Sequence, residues 1–172
     1  SSYEDPAGNA GTTVTDTEDG SEVIFDMTAP VLGTVTIASD NTFSNWAKKD
    51  DVITLEIVSD TDLETSPVVT LIGSTDGVTV TAGVNAKNWT AEKPVENGTT
   101  EGVVDFIITY EDVVGNSGDA ITSITTGKNV TVDRNSPTIT TASIASNNGG
   151  GTRPELAVPG NIITLTVVSN EN

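Results

Sequence analysis

The sequence contains no cysteine and no histidine. Their absence removes disulfides, thiol nucleophiles, imidazole bases and the usual zinc ligands together. A secreted eukaryotic β-domain often carries a disulfide, so the lack of one fits a bacterial or archaeal surface protein better. Basic residues are scarce. Seven Lys+Arg against 25 Asp+Glu leave a formal net charge of −18. Such a field repels nucleic acid and anionic membrane surfaces and attracts cations. Aromatic residues make up only 4% of the chain. No run of about 20 apolar residues is present, the length a membrane-spanning helix needs. The first residues lack the pattern of a signal peptide, and Ser1 opens in mid-pattern, so the full protein is expected to begin elsewhere.

What the chain does have is Val, Ile and Thr in quantity, residues that suit pleated, half-buried surfaces. It also has an internal repeat. Tyr3-Glu4-Asp5-Pro6-Ala7-Gly8-Asn9-Ala10-Gly11 returns 107 residues later as Tyr110-Glu111-Asp112-Val113-Val114-Gly115-Asn116-Ser117-Gly118. The offset holds without a gap through Asp26/Asp133 and Pro30/Pro137, with 11 of 28 positions identical between 3–30 and 110–137. Ile37-Ala38-Ser39 becomes Ile144-Ala145-Ser146. After a three-residue insertion, Val52-Ile53-Thr54-Leu55 becomes Ile162-Ile163-Thr164-Leu165. A period of this length is too long for a solenoid turn and suits an independently folding sandwich domain. Its phase divides the chain into the tail of one unit at 1–27, a whole unit at 28–135, and the head of the next at 136–172. Tail and head both lack the equivalent of roughly Leu63 to Ile107. Neither is expected to close a core alone.

Within the whole unit, alternation and turn residues predict strands over Val31–Ala38, Val52–Ser59, Pro67–Ile72, Gly77–Ala82 and a stretch near 86–95 holding Trp89. Gly102–Tyr110 reads as one strong strand. Ile121–Ile124 and Asn129–Asp133 read as a last, interrupted one. Trp89 is expected in the core. Trp46 lies in the connection Asn45–Lys49, either as an exposed contact or as cover for a sheet end. Short strands separated by Gly, Asn, Asp and Ser turns argue an all-β sandwich, and no ten-residue segment has a helical period.

Several segments together resemble the Ig-like repeats of large bacterial cell-surface adhesins. They are Asp26-Met27-Thr28-Ala29-Pro30, Val35 to Asn41, Asp51 to Leu55, Trp89, and Phe106 to Asn116. The resemblance covers nearly all of the chain. It is most specific in the Asp-x-x-Gly-Asn turn and the Asp-x-x-x-Pro linker. It implies seven-stranded Ig-like Greek-key β-sandwich repeats arranged end to end, often with calcium at the domain junctions. The glutamate usual after the second strand's serine is replaced here by Asp60, which leaves the exact ligand set open.

Candidate calcium residues are Asp112 and Asn116 on one loop, Asp133 at the end of the last strand, and Asp5, Asn9 and Asp26 one unit earlier. Calcium takes 6–8 oxygens from carboxylates, amides and carbonyls. In a sandwich, Asp112 and Asp133 fall at opposite ends. Asp26 and its linker are therefore expected to meet a loop of the following unit, such as Asp112/Asn116. The competing reading is a plain turn, in which Gly and Asn accept positive φ and Asp bonds locally. Asp50-Asp51 with Asp60, Asp62 and Glu64 reads mainly as charged loops, lacking the glycine and terminal glutamate of an EF-hand. Asn88, Asn97 and Asn129 open possible N-glycosylation sequons. Paired carboxylates for acid–base work would be chance pairs among 25 acids, so no catalytic residue is assigned and no enzyme is expected.

The expected role is a structural spacer or shaft in an extracellular adhesin or cell-surface filament. Its partners would be neighbouring repeats or copies of itself, with host or biofilm glycan or protein engaged elsewhere in the protein. The alternatives are a subunit that self-assembles by donor-strand complementation and a glycan- or protein-binding Ig-like module.

Overall fold

The computed structural model describes residues 3–171 apart from Val14 and Glu18. The outermost residues of the expected tail and head segments, Ser1, Ser2 and Asn172, lie outside the described residues. Among these residues there are eleven strands, one 3-10 turn and no α-helix. The protein is all-β, with several antiparallel sheets in a sandwich-like arrangement.

The strands are β1 (Leu32–Ser39), β2 (Trp46–Ala47), β3 (Val52–Ser59), β4 (Val68–Leu71), β5 (Thr79–Ala82), β6 (Asn88–Pro94), β7 (Gly102–Val103), β8 (Phe106–Thr109), β9 (Thr131–Val132), β10 (Ile139–Ser146) and β11 (Ile163–Ser169). The residues fall into two compact units. The first comprises 1–37, 54–93 and 105–128. It holds the sheet ordered β1-β3-β6-β5 and the antiparallel pair β4–β8. The second comprises 38–53, 94–104 and 129–172. It holds the sheet ordered β2-β9-β7 and the hairpin β10–β11, along with the closing residues of β1 and the opening residues of β3.

Strands form where the alternation said they would. In β3 the residues Ile53, Leu55, Ile57 and Ser59 are buried, while Glu56 and Val58 between them are exposed. This is the period of two that a pleated strand imposes. β8 repeats it with Phe106 and Ile108 inward. Each fully buried Leu or Ile contributes about 1.5–3 kcal/mol relative to an exposed one.

Two expectations need correction. Gly102–Tyr110 is not one strand. Gly102–Val103 pairs with β9, whereas Phe106–Thr109 pairs with β4. Burial alternates unbroken through Val104, Phe106, Ile108 and Tyr110, so the period of two conceals the change of partner. Trp89 is half-buried rather than core. It opens β6 opposite Ala82, and its indole N–H is spent on Ala86 O at 2.9 Å. Ile121 makes a single bridge to Ile108, and only Thr131–Val132 of the expected last strand is regular.

Several hydrogen bonds of residues 40–52 recur between residues 147 and 162. Asp40 N–H donates to Val52 O at 3.1 Å, and Val52 N–H to Asp40 Oδ1 at 2.8 Å. Their counterparts Asn147 and Ile162 make the same exchange at 3.1 and 2.9 Å. Lys48 N–H donates to Asp51 Oδ2 at 2.8 Å, and Val158 N–H to Asn161 Oδ1 at 2.9 Å. Asp50 has φ +72°, and glycine, the residue suited to that conformation, stands at its counterpart Gly160 (φ +94°). The insertion sits in the 3-10 turn Asn148–Gly151, where Gly149 and Gly150 both have positive φ. On either side the bonding resumes: Trp46 N–H reaches Phe43 O as Leu156 N–H reaches Arg153 O. Leu156 therefore stands where Trp46 stands in the earlier segment.

Candidate functional site

The turn at 112–116 is built around one carboxylate. Asp112 Oδ1 accepts the N–H groups of Val114 and Asn116, both at 2.9 Å, and its Oδ2 accepts Asn116 Nδ2 at 2.8 Å. Gly115 N–H closes onto Asp112 O, and Gly115 takes φ +87°, which glycine adopts without steric cost. Burial pushes the Asp112 carboxyl up. The Asn116 amide and the turn's backbone N–H groups outweigh that and hold it below the usual carboxylate range. Three residues on, Gly118 N–H bonds Tyr110 O, and the buried Tyr110 ring covers Gly118 so closely that a Cβ has no room.

The same arrangement recurs 107 residues earlier in the sequence. Asp5 accepts Ala7 N–H and Asn9 N–H at 2.9 Å and Asn9 Nδ2 at 2.8 Å. Gly8 has φ +86°, and Gly11 lies against the Tyr3 ring. Hydrogen bonds from Asn9, side chain first, keep the Asp5 carboxyl low. The turn reading thus accounts for both oxygens of each aspartate.

The 112–116 turn also touches the segment 26–28. Asn116 Nδ2 lies 3.4 Å from Asp26 O and 3.4 Å from Thr28 O. The Asp26 carboxylate caps Thr28 N–H at 2.9 Å, and Asp133 caps Asn135 N–H at 3.0 Å, one repeat apart. The segment 134–135 is held by Glu101, which accepts Asn135 Nδ2 at 2.8 Å and Arg134 N–H at 3.3 Å. Of the six candidate calcium residues, the structure brings together Asp112, Asn116 and the backbone of Asp26. Asp5 and Asn9 form their own turn, and Asp133 caps Asn135 N–H. Around the Asn116 amide stand Asp112 Oδ2 and two carbonyls. These are hard oxygen donors of the kind calcium takes, but fewer than its usual 6–8. No cluster of three Asp or Glu side chains suited to a metal is found among the described residues.

The other acids serve the fold. Asp51 is buried and accepts Lys48 N–H, Asn41 Nδ2 at 2.7 Å and the Lys48 ammonium. Its burial cost is outweighed by these donors, so its carboxyl too sits low. Asp60 caps Val31 N–H at 2.8 Å. Asp50, Asp62 and Glu64 are exposed. Among the sequons, Asn88 spends its amide on Asn85 Oδ1 at 2.6 Å within β6, whereas Asn97 and Asn129 are exposed. The Tyr110–Gly118 and Tyr3–Gly11 contacts were missed from the sequence. Their signal was the repeated Tyr-x7-Gly spacing.

No family model, no curated protein and no solved structure matches this chain.

Proposed function

We propose that the chain is part of a tandem array of Ig-like sandwich units that serves as a spacer or shaft in an extracellular adhesin or cell-surface filament. On this reading one seven-stranded Greek-key unit runs from 28 to 135, with a tail before it and a head after it, and none of its residues is catalytic. The observation that carries the reading is the recurrence, at the repeat offset, of the hairpin bonds of Asp40–Val52, Lys48–Asp51 and Val31–Asp60 in residues 138–170. Trp46 and Phe43 are exposed, but Leu156 and Arg153 stand at their counterparts, so a ligand site on that pair would not belong to every unit.

Each linker is gripped at a stated place, the incoming one by Asn116 and the outgoing one by Glu101. In an array these grips fix how one unit follows another. Calcium bound beside Asp112, Asn116 and the Asp26–Thr28 carbonyls would add charge neutralisation to that grip in a chain of −18. Small-angle scattering on chains of two, three and four units tests the reading. A maximum dimension that rises in proportion to unit number supports a shaft, and one that does not rise overturns it. A chelator that shortens the dimension supports the calcium part, and an unchanged dimension removes it.

A further inference from the structure

Two Asn-Gly pairs occur in the chain, Asn97-Gly98 and Asn148-Gly149. Glycine has no side chain to shield its own backbone nitrogen, so that nitrogen can reach the Cγ of the asparagine before it. The two pairs stand in different surroundings. Asn97 and Gly98 are exposed in the turn 96–99, which Thr99 N–H closes onto Glu96 O at 3.1 Å. The space beside Gly98 is open. Among the described residues neither the Asn97 amide group nor Gly98 N–H makes a hydrogen bond, so both reacting groups are free. Asn148 is half-buried in the 3-10 turn, where Thr152 Oγ1 bonds the next carbonyl, Gly149 O, at 2.8 Å.

A cation distinguishes the first pair. Arg134 Nη1 donates to Asn97 O. Arg134 Nε is buried without a hydrogen-bond partner among the described residues, and Glu101 Oε1 stands 3.9 Å from it. The guanidinium therefore spends its Nη1 donor on a neutral carbonyl, and no carboxylate is hydrogen-bonded to its Nε. That carbonyl is conjugated to the Gly98 nitrogen.

We propose that Asn97 is a site of self-modification, at which Arg134 activates the Asn97-Gly98 peptide for loss of ammonia and conversion to isoaspartate and aspartate. Gly98 N–H gives its proton to hydroxide. The nitrogen bonds Asn97 Cγ, the Cγ–Nδ2 bond breaks, and Nδ2 takes a proton from water and leaves as ammonia. Water then opens the cyclic imide. Attack at the main-chain carbonyl of Asn97 leaves isoaspartate, and attack at Cγ leaves aspartate. One water is consumed, one ammonia is released and nothing is oxidised or reduced. A positive donor on Asn97 O stabilises the amide anion with which the reaction begins, as a fixed donor stabilises any developing oxyanion. It also polarises that carbonyl toward water, which directs the opening to isoaspartate. The carboxylate so formed contains the oxygen that Arg134 already holds, and the neutral contact becomes a charge-assisted one.

Peptide mass mapping of the chain during mildly alkaline incubation tests this, with isoaspartate counted by enzymatic methylation. The chain is made without glycosylation, because a glycan on Asn97 Nδ2 would block the reaction. Folding ordinarily slows this chemistry by holding the backbone. Here Asn97 should convert about tenfold faster in the folded chain than in urea, the gain of one charge-assisted hydrogen bond. Asn148 should convert no faster folded than in urea. Arg134→Gln should lose the advantage at Asn97 and shift its product toward aspartate, whereas Arg134→Lys, which keeps a cation, should stay closer to the native chain. Conversion of Asn97 that is no faster in the folded native chain than in urea overturns the proposal, and that comparison needs no variant to fold. Conversion in Arg134→Gln at the native rate overturns it as well.

Discussion

Asn170 accepts the backbone N–H of Thr138 at 2.6 Å and returns its own N–H to Thr138 O at 3.0 Å. One repeat earlier, Asp60 and Val31 make the same two bonds at 2.8 and 3.0 Å. The residue types differ and the geometry persists. What persists is the closure of a hairpin whose inner face is covered in one copy and bare in the other.

That difference sets the first prediction. Leu55→Ala removes a fully buried side chain from β3 and should destabilise the protein by about 2–5 kcal/mol. Leu165→Ala removes its exposed counterpart and should cost no more than about 0.5 kcal/mol. Urea unfolding of the two variants measures both. Equal losses would show that the head hairpin already has a core.

The second concerns Tyr110. A Cβ at Gly118 would collide with the Tyr110 ring. Gly118→Ala should therefore displace a buried aromatic and lower the melting temperature by several degrees, whereas Gly98→Ala, which meets open space, should leave it nearly unchanged. Differential scanning calorimetry on the pair checks this.

The third concerns strain. Ile72 and Gly73 both have positive φ, 55° and 68°, in a two-residue turn closed by Leu71 N–H to Ser74 O. Glycine and asparagine suit that conformation and a β-branched residue does not. Ile72→Asn should stabilise the protein by about 1 kcal/mol, measured as a rise in the urea midpoint. A fall would mean that the Ile72 side chain contributes more by packing than its backbone costs.

The strands β1 and β3 were legible because each alternates in sequence and buries one face. The repeat was legible because Tyr-Glu-Asp-x-x-Gly-Asn is distinctive. The division of 102–110 was not, since burial keeps its period of two while the hydrogen-bonding partner changes from β9 to β4. Trp89 misled because a large aromatic in a strand suggests a core, and here it stands at the half-covered start of β6. The approach of Asn116 to the Asp26 backbone was expected from sandwich geometry. That both oxygens of Asp112 are committed to its own turn was not, because sequence does not show which lone pairs are taken.

The fourth prediction is a pH profile. Asp112 and Asp51 have folded pKa values below their ordinary value of 3.8. A depressed carboxyl contributes stability that is present above its unfolded pKa and lost as pH falls through the folded one. Tyr110 is shifted up from 10.0, first by burial and then by Asp119 and Asp60, with the Leu32 backbone opposing. Its contribution is present below pH 10.0 and lost as pH rises through the folded pKa. The melting temperature should therefore hold steady near neutrality and fall at both ends. Asp51→Asn should flatten the acid limb and leave the alkaline limb in place.

On the proposed repeat, residues 138–171 are half of a unit that shares the plan of 28–135. Asn172 is the counterpart of Asp62 under the repeat, so residues 63–135 can be joined directly after it. Hydrogen exchange on that extended chain is the most direct measurement. Amides of β10 and β11 should become as protected as those of β1 and β3. Exchange in β10 and β11 that stays as fast as in the 172-residue chain, with β1 and β3 still protected, would contradict it.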